Sequence, residues 1–183
     1  MGQFNFFEIE KQSENRMATV YLNGPDARNS MVWDFWKELP EVVDYLEQDE
    51  TIKSVVIASK KKSFSIGLEL NEFGEKFGDI IKGSTADQRM KFLKLIQDMQ
   101  SGFLKMMKSR IVFLGAVHKH CIGGALDLIC ACDIRLAASD ASVSIRETKV
   151  AIVADMCSLN RLPSIIGQGN TRLMAFTGSD YDA

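Results

Sequence analysis

Long apolar runs, paired cysteines and histidine clusters are all missing from this 183-residue sequence. No apolar stretch approaches the roughly 18 residues of a membrane-spanning helix, so we expect no membrane span. The formal net charge of −2 argues against a surface that attracts nucleic acid or an anionic membrane. The amino-terminal residues also lack the basic and apolar regions of a secretory signal, and no internal repeat is visible.

The histidines and cysteines are too few, and too poorly spaced, to predict a metal site. His118 and His120 flank a single lysine before a glycine turn, which predicts loop residues. The cysteines lie among apolar residues in the second half of the chain and lack a second ligand pair: Cys121, Cys130, Cys132 and Cys157. We therefore predict no metal ion and reduced, buried thiols. Such thiols are typical of a cytoplasmic protein, which is the location we expect, with an organellar matrix as the alternative.

Apolar strands alternate with helical patterns along the chain, which predicts an α/β fold with crossover connections. The predicted strands cover residues 7–10, 17–22, 54–58, 111–117 and 133–137. Helices are predicted after an N-cap at Ser30, over residues 88–108, and over residues 168–176. Gly74, Gly78 and Gly83 indicate a loose segment before the second helix. The length favours one domain spanning residues 1–183.

Two loops share one design, in which an apolar strand is followed by a glycine turn and a helix or helix-like turn. They are residues 65–70 and 122–127. In a parallel sheet such loops lie at the carboxyl ends of strands, where ligands bind. Each loop can present a free N–H beside its glycine, and two converging N–H groups would hold the negative charge of an enolate. Because glycine turns before helices are common, a purely structural role is the alternative.

Two further features have a structural and a functional interpretation. The lysines at residues 60–62 indicate either a solvated turn or an anchor for a ligand phosphate. The helix over residues 88–108 has an apolar stripe at i, i+3, i+4 and i+7 spacing. This methionine-rich stripe predicts core or subunit contact rather than a cofactor site: Phe92, Leu95, Ile96, Met99, Phe103, Met106 and Met107.

Three acids stand in mostly apolar surroundings, namely Asp127, Glu147 and Asp155. A carboxylate among valine, isoleucine and alanine is costly to bury unless it is paired, hydrogen-bonded or protonated. Three such acids after a glycine turn indicate proton-transfer chemistry beside an oxyanion site. The alternatives are structural. Asp155 could cap the turn near Ser158 or pair with Arg161, and Glu147 could pair with an adjacent basic residue.

Four motifs resemble those of the crotonase family, also called the enoyl-CoA hydratases and isomerases. RNSM at residues 28–31 resembles R-N-A-M/L, and SIGLEL at residues 65–70 resembles S-A-G-x-D-L. CIGGALDL at residues 121–128 resembles C-x-G-G-G-x-[DE]-L, and ACDIR at residues 131–135 resembles the segment that follows it. The motifs occur in the family's order and cover essentially the whole chain. The resemblance implies a spiral core of ββα units.

The acids and the RLP sequence at residues 161–163 are similar to those of the dienoyl-CoA isomerases within that family. The resemblance implies that the Leu68 and Gly124 N–H groups form an oxyanion hole for a thioester carbonyl. Glu147 and Asp155 would exchange protons with the acyl chain, moving 3,5-double bonds to the 2,4 positions in fatty-acid β-oxidation, and Asp127 would orient them. The other loop residues implied to shape this site or bind substrate are Ser65, Gly67, Leu70 and Gly123.

Two other functions remain open for a protein of this fold. One is an enoyl-CoA hydratase or 3,2-enoyl-CoA isomerase, and the other is a non-catalytic acyl-CoA-binding protein. The resemblance implies no metal or redox cofactor, because coenzyme A enters as part of the acyl-CoA thioester. Cys157, which stands where the isomerases usually have glycine, could crowd the pocket beside Asp155.

Family members continue beyond Ala183 with helices that complete the acyl pocket and pack a homotrimer, commonly doubled to a hexamer. We therefore expect this chain to be a crotonase-like core domain that lacks the carboxyl-terminal helical part. A trimer or hexamer is expected if that part is present, and an address signal at the carboxyl terminus would be lost with it.

Overall fold

The computed structural model describes residues 4–183. The strands are β1 (Phe7–Gln12), β2 (Met17–Leu22), β3 (Ser54–Ser59), β4 (Val112–Val117), β5 (His120–Ile122), β6 (Ile134–Ala137), β7 (Ser142–Ser144) and β8 (Tyr181–Asp182). The helices are α1 (Trp33–Glu47), α2 (Leu70–Ile81), α3 (Ala86–Lys108), α4 (Gly124–Cys130), α5 (Ser158–Ile166) and α6 (Gln168–Thr177). The alternation of strands and helices confirms the predicted α/β class.

The main sheet has five strands in the order β1-β2-β3-β4-β6. The hairpin β1–β2 is antiparallel, and the remaining neighbours pair in parallel. Alternate residues of β3 are buried, among them the β-branched Val55 and Ile57, so one face of this strand packs on the core. Because these strands are parallel, the chain leaves β3 and β4 at the same edge of the sheet, and both glycine loops begin there.

A second, smaller sheet lies at that edge and was not predicted. Its three short strands have the order β5-β7-β8. An isolated parallel bridge between Ser65 and Cys121 extends β5 onto the first glycine loop. His120 therefore lies in a strand, contrary to the loop prediction, because its backbone pairs with Ser142 of β7. His118 lies in the connection between strands, as predicted.

The helices α1 and α3 pack closely under the edge that carries the loops. Phe35 and Phe103 are fully buried, and Trp36 stacks edge-on against both rings, with centroids 4.9 and 5.8 Å apart. Each such aromatic pair contributes about 0.5–1.5 kcal/mol beyond its buried area. Gly102 of α3 allows the close approach, because a Cβ there would lie 2.7 Å from a methyl carbon of Leu39. This packing holds Trp36 beside the second glycine loop.

The prediction that Ser30 is the N-cap of α1 is wrong. The helix begins at Trp33 after Val32, whose side chain makes no capping hydrogen bond. Instead, the carboxylate of Glu72 in α2 accepts the Trp33 N–H at 2.8 Å. The first turn of α1 is thus satisfied by a tertiary contact that no local sequence signal indicates.

The prediction of a loose segment around Gly74 and Gly78 is also wrong, since these residues lie inside α2. The side chain of Glu69 caps this helix by accepting the Glu72 N–H at 2.5 Å. Phe77 packs against Trp33 of α1, with ring centroids 4.6 Å apart. Capping and aromatic packing therefore offset the cost of two interior glycines, which is about 1 kcal/mol each.

Among residues 4–183, none of the helices combines the length and hydrophobicity that crossing a membrane requires. The four cysteines all fall inside this range and are free thiols. The first three residues, which belong to the stretch examined for a secretory signal, lie outside the described residues.

Candidate active site

A cavity of about 590 Å³ opens between the two glycine loops and the helices α2 and α3. Five of the predicted site residues line it: Leu68, Leu70, Gly124, Glu147 and Asp155. Four others do not line it: Ser65, Gly67, Gly123 and Asp127. The volume falls in the usual range for small-molecule sites. The structure thus brings both glycine loops and two of the three acids to one cavity.

The first glycine loop leaves one backbone N–H without an acceptor. In residues 65–69 four N–H groups are engaged: Ser65 with His120 O at 2.9 Å, Ile66 with Arg28 O at 3.2 Å, Gly67 with Ser65 Oγ at 3.1 Å, and Glu69 with Met31 O at 3.1 Å. Leu68 N–H has no acceptor among the described residues. Because backbone N–H groups away from water are nearly always paired, a free one at a cavity is available to a ligand.

The second glycine loop also presents a free N–H. Gly123 has a positive φ of 56° and donates its own N–H to Ser144 O at 3.0 Å. Gly124 follows as the first residue of α4, so its N–H has no intrahelical acceptor. No other acceptor within the described part of the chain takes its place.

The two loops are in direct contact through Gly67. Its φ is +81°, and a Cβ there would lie 2.5 Å from Ile122 O and 3.1 Å from Gly124 N. Only glycine combines this conformation with this lack of bulk. A hydrogen bond from Ile122 N–H to Ser65 O, 3.2 Å long, joins the same loops. The free N–H groups of Leu68 and Gly124 therefore flank a shared backbone contact.

Asp127 lies beneath the cavity and is almost completely buried, with 1% of its surface exposed. Its Oδ1 accepts the Ser158 N–H at 2.6 Å, whereas Oδ2 has no partner among the described residues. Burial, followed by the nearby charge of Glu147, raises the pKa of Asp127 from 3.8 to about 7. The suggestion that Asp155 caps the turn at Ser158 is therefore wrong, because Asp127 makes that contact.

Glu147 and Asp155 are half-buried and lack the structural partners considered for them. Within residues 4–183 neither forms a salt bridge, and Arg146 pairs with Asp180 instead. Burial raises the pKa of both carboxyl groups, and the charge of Asp155 raises that of Glu147 further. One oxygen of Glu147, Oε2, is buried and has no protein partner in the described structure. Burial thus favours the protonated form of both acids, an environmental effect that is common among proton-transfer groups.

Comparison with known proteins identifies the family of this chain. The sequence model of the enoyl-CoA hydratase/isomerase family matches residues 12–183. The chain belongs to this family.

The curated relatives include several dienoyl-CoA isomerases. The mitochondrial delta(3,5)-delta(2,4)-dienoyl-CoA isomerase of Dictyostelium discoideum is 34% identical over 98% of this chain and 61% of its own length. The peroxisomal enzyme of that name from Arabidopsis thaliana is 33% identical over 94% of this chain and 63% of its own length. The chain therefore spans about three fifths of the length of these relatives.

Solved structures confirm the crotonase-like fold. Pseudomonas aeruginosa DspI superposes with a TM-score of 0.84 at 23% identity, covering 100% of this chain and 65% of that one. A Thermobifida fusca protein, crystallised in complex with acetoacetyl-CoA, superposes with a TM-score of 0.81 at 25% identity. That comparison covers 97% of this chain and 68% of the other.

The apolar walls of the cavity were not predicted as part of the site. They come from α1, α2 and α3 and from the segment before α5: Trp36, Phe73, Ile81, Phe92, Ile96, Met99, Ile152, Val153 and Met156. The apolar stripe of α3 was a usable signal, because its amino-terminal members face the cavity while Leu95, Phe103 and Met106 join the core. The core prediction for that stripe is thus confirmed only in part.

The lysines before the first loop have structural partners. Lys60 forms salt bridges with Glu8 and Glu10, and its ammonium group lies 4.0 Å from the centre of the Tyr21 ring. Lys61 donates to the carbonyl of Gly24. These contacts favour the interpretation of residues 60–62 as a turn. In the described range, no group of three or more acidic, histidine or cysteine side chains is placed to hold a metal ion.

Proposed function

We propose that this chain carries the catalytic core of an acyl-CoA isomerase that converts 3,5-dienoyl-CoA to 2,4-dienoyl-CoA. One observation carries the proposal. A single cavity is lined by the residues of two free backbone N–H groups, Leu68 and Gly124, and by two carboxyl groups of raised pKa, Glu147 and Asp155. The names of the relatives at 34% and 33% identity support the substrate class.

In this proposal the thioester carbonyl oxygen accepts the N–H groups of Leu68 and Gly124. Removal of a proton from the carbon next to the thioester leaves an enolate conjugated with both double bonds of the substrate, and these donors stabilise its charge. One carboxyl group of the pair Glu147 and Asp155 is ionised and takes that proton. The other is protonated and returns a proton at the far end of the diene, so no net proton is gained or lost. Burial raises the pKa of both groups, which favours the protonated form that the acid role requires.

Asp127 has a supporting role in the proposed mechanism. Its hydrogen bond to Ser158 N–H joins α4, which begins with the donor Gly124, to the start of α5. Asp155 lies three residues before Ser158, so this hydrogen bond also fixes the distance between Asp155 and the oxyanion hole. Coenzyme A enters as part of the substrate, and the proposed proton transfers require no metal or redox cofactor.

Assembly and location belong to the same proposal. Val153 and Phe176 are 70% and 77% exposed, which leaves apolar surface that further helices or copies of the chain would cover. We propose a homotrimer or hexamer for a chain that includes the remaining length of its relatives. The relatives are named mitochondrial and peroxisomal, which favours an organellar matrix over the cytoplasm.

The test is a diene assay on the protein and on its Glu147→Gln and Asp155→Asn variants. With 3,5-octadienoyl-CoA as substrate, the conjugated 2,4-dienoyl thioester is followed by its ultraviolet absorbance. We expect each variant to lose roughly 10²–10⁴-fold in kcat, the usual contribution of a positioned acid or base. Asp98→Asn makes the same change at an exposed residue that pairs with Lys94, and should leave turnover unchanged.

The assay also separates the alternative functions. Hydration of a 2-enoyl-CoA without conversion of the diene would assign the protein to the hydratases. Binding of acyl-CoA without either reaction would favour a binding protein, and the same result on a chain of full family length would establish it. Full diene turnover in both acid variants would refute the proposed mechanism.

A further inference from the structure

Asn29 is a fully buried polar residue for which the proposed mechanism has no role. Its side-chain amide is saturated with hydrogen bonds. Oδ1 accepts the Gly24 N–H at 2.8 Å, and Nδ2 donates to Ser59 Oγ at 2.7 Å and to Phe64 O at 3.1 Å. The amide thus ties together the segments that follow β2 and β3. Its own backbone is left-handed, with a φ of 58°.

The backbone carbonyl of Asn29 leads directly to the first glycine loop. It accepts the hydroxyl of Ser65 at 2.6 Å, and the same Ser65 oxygen accepts the Gly67 N–H at 3.1 Å. Two residues further along, Met31 N–H donates to Gly67 O at 2.7 Å. The segment from Asn29 to Met31 therefore holds both the N–H and the carbonyl group of Gly67.

These contacts orient the free N–H of Leu68. Gly67 C=O and Leu68 N–H belong to one planar peptide unit, in which the two groups point in opposite directions. Because Met31 holds the carbonyl, the Leu68 N–H must point away from Met31. The direction of this donor follows from the position of residues 29–31 and does not depend on the Leu68 side chain.

The position of residues 29–31 depends in turn on asparagine. A left-handed φ is readily adopted by asparagine, aspartate and glycine and is unfavourable for most other residues. The buried site also requires one acceptor for Gly24 and one donor for the oxygens around Nδ2, a combination that a carboxylate lacks. Asparagine meets both requirements.

We propose that Asn29 is a positioning residue of the oxyanion hole, acting through Ser65 and Met31 on the peptide between Gly67 and Leu68. This inference rests on the proposed function only in that it takes the hole to bind a thioester carbonyl. It predicts that Asn29 controls enolate stabilisation while contributing little to the binding of the acyl-CoA.

The central variant is Asn29→Gly, which tolerates the left-handed backbone and deletes only the amide. Asn29→Asp keeps the side-chain shape and one acceptor but removes the Nδ2 donor. Ser65→Ala removes the hydroxyl that links the Asn29 carbonyl to the Gly67 N–H. Ile52→Ala is the matched control, because Ile52 is a buried residue that precedes β3, at the end of the sheet opposite the loops. This change should lower stability without altering the hydrogen bonds among Asn29, Ser65 and Gly67.

Two readouts are measured on folded protein. The first is the split between kcat and KM in the diene assay. The second is the ultraviolet absorbance of bound acetoacetyl-CoA, measured at a pH at which the free thioester is in its keto form, so that an enolate band reports stabilisation by the oxyanion hole. We expect Asn29→Gly and Ser65→Ala to lower kcat roughly 10–100-fold with KM nearly unchanged, since a donor displaced by about 1 Å loses that much. Both should lose the enolate band while still binding the thioester, and Ile52→Ala should keep it.

The outcomes separate this inference from the proposed function. If the unchanged chain forms the enolate band but does not convert the diene, the proposed isomerase function is refuted. The role of Asn29 is then judged from the enolate band of its variants alone. An enolate band that persists in Asn29→Gly, with stability reduced as in Ile52→Ala, overturns the inference. A chain with neither band nor turnover overturns both.

Discussion

The substitution Asp127→Asn should become more favourable to stability as the pH rises. Asp127 is 1% exposed, and burial together with the charge of Glu147 raises its pKa from 3.8 to about 7. Ionising this acid in the folded protein is therefore costly. Asparagine keeps an oxygen for the Ser158 N–H and carries no charge. Any penalty for its buried NH₂ group is independent of pH.

The magnitude follows from the two pKa values. An acid whose pKa is higher in the folded state contributes its full stability below the unfolded pKa, and this contribution is lost as the pH rises through the folded pKa. For Asp127 the values differ by about 3 units, which corresponds to about 4 kcal/mol at about 1.4 kcal/mol per unit. Roughly a third of this is already lost at pH 5, so about 3 kcal/mol is lost between pH 5 and pH 8.

Urea unfolding of both proteins at pH 5 and pH 8 measures this change as a free energy of unfolding. The difference between Asp127→Asn and the unchanged chain should shift by about 3 kcal/mol in favour of the variant at the higher pH. Asp140→Asn is the control, because a hydrogen bond to Lys119 lowers the pKa of that exposed acid. The control should show no such gain. A difference for Asp127→Asn that is the same at both pH values would refute the reasoning.

Three further changes test the loop contact, the core and the amino-terminal segment. Gly67→Ala places a Cβ 2.5 Å from Ile122 O, so kcat in the diene assay should fall roughly 100-fold, and an unchanged kcat would contradict the close contact. Phe103→Ala empties a fully buried site between α1 and α3 and should cost about 3–5 kcal/mol in urea unfolding. Glu38 accepts two amino-terminal backbone N–H groups, both at 2.9 Å. Glu38→Gln should therefore cost about 1–3 kcal/mol and speed amide exchange at Phe6.

The glycine loops and the acids could be predicted because their signals are local. Gly67 and Gly123 adopt the positive φ values that the turns require, and glycine reaches this conformation without the steric cost of a side chain. The acids stand out because burying a carboxylate among apolar residues costs free energy unless the group is paired, hydrogen-bonded or protonated. The side-chain partner of Asp127 could not be predicted, because Ser158 is 31 residues away in the sequence.

The helix α2 and the small sheet could not be predicted either, because the contacts that stabilise them are distant in the sequence. The glycines of α2 lower its intrinsic stability, and its cap and its aromatic contact with Trp33 exist only in the folded chain. The strands β5, β7 and β8 have two or three residues each, too few to show an alternating pattern. Their pairing depends on contacts that are distant in the sequence.

The bridge between Ser65 and Cys121 has a consequence for transplanting the site into another protein. Neighbouring strands lie about 4.8 Å apart, so this pairing sets the separation of the segments that carry Leu68 and Gly124. A slip of one residue in a paired strand reverses the direction of its groups. A single-residue insertion in either segment would therefore turn one donor away from the other. A graft must therefore move residues 65–69 and 120–124 together.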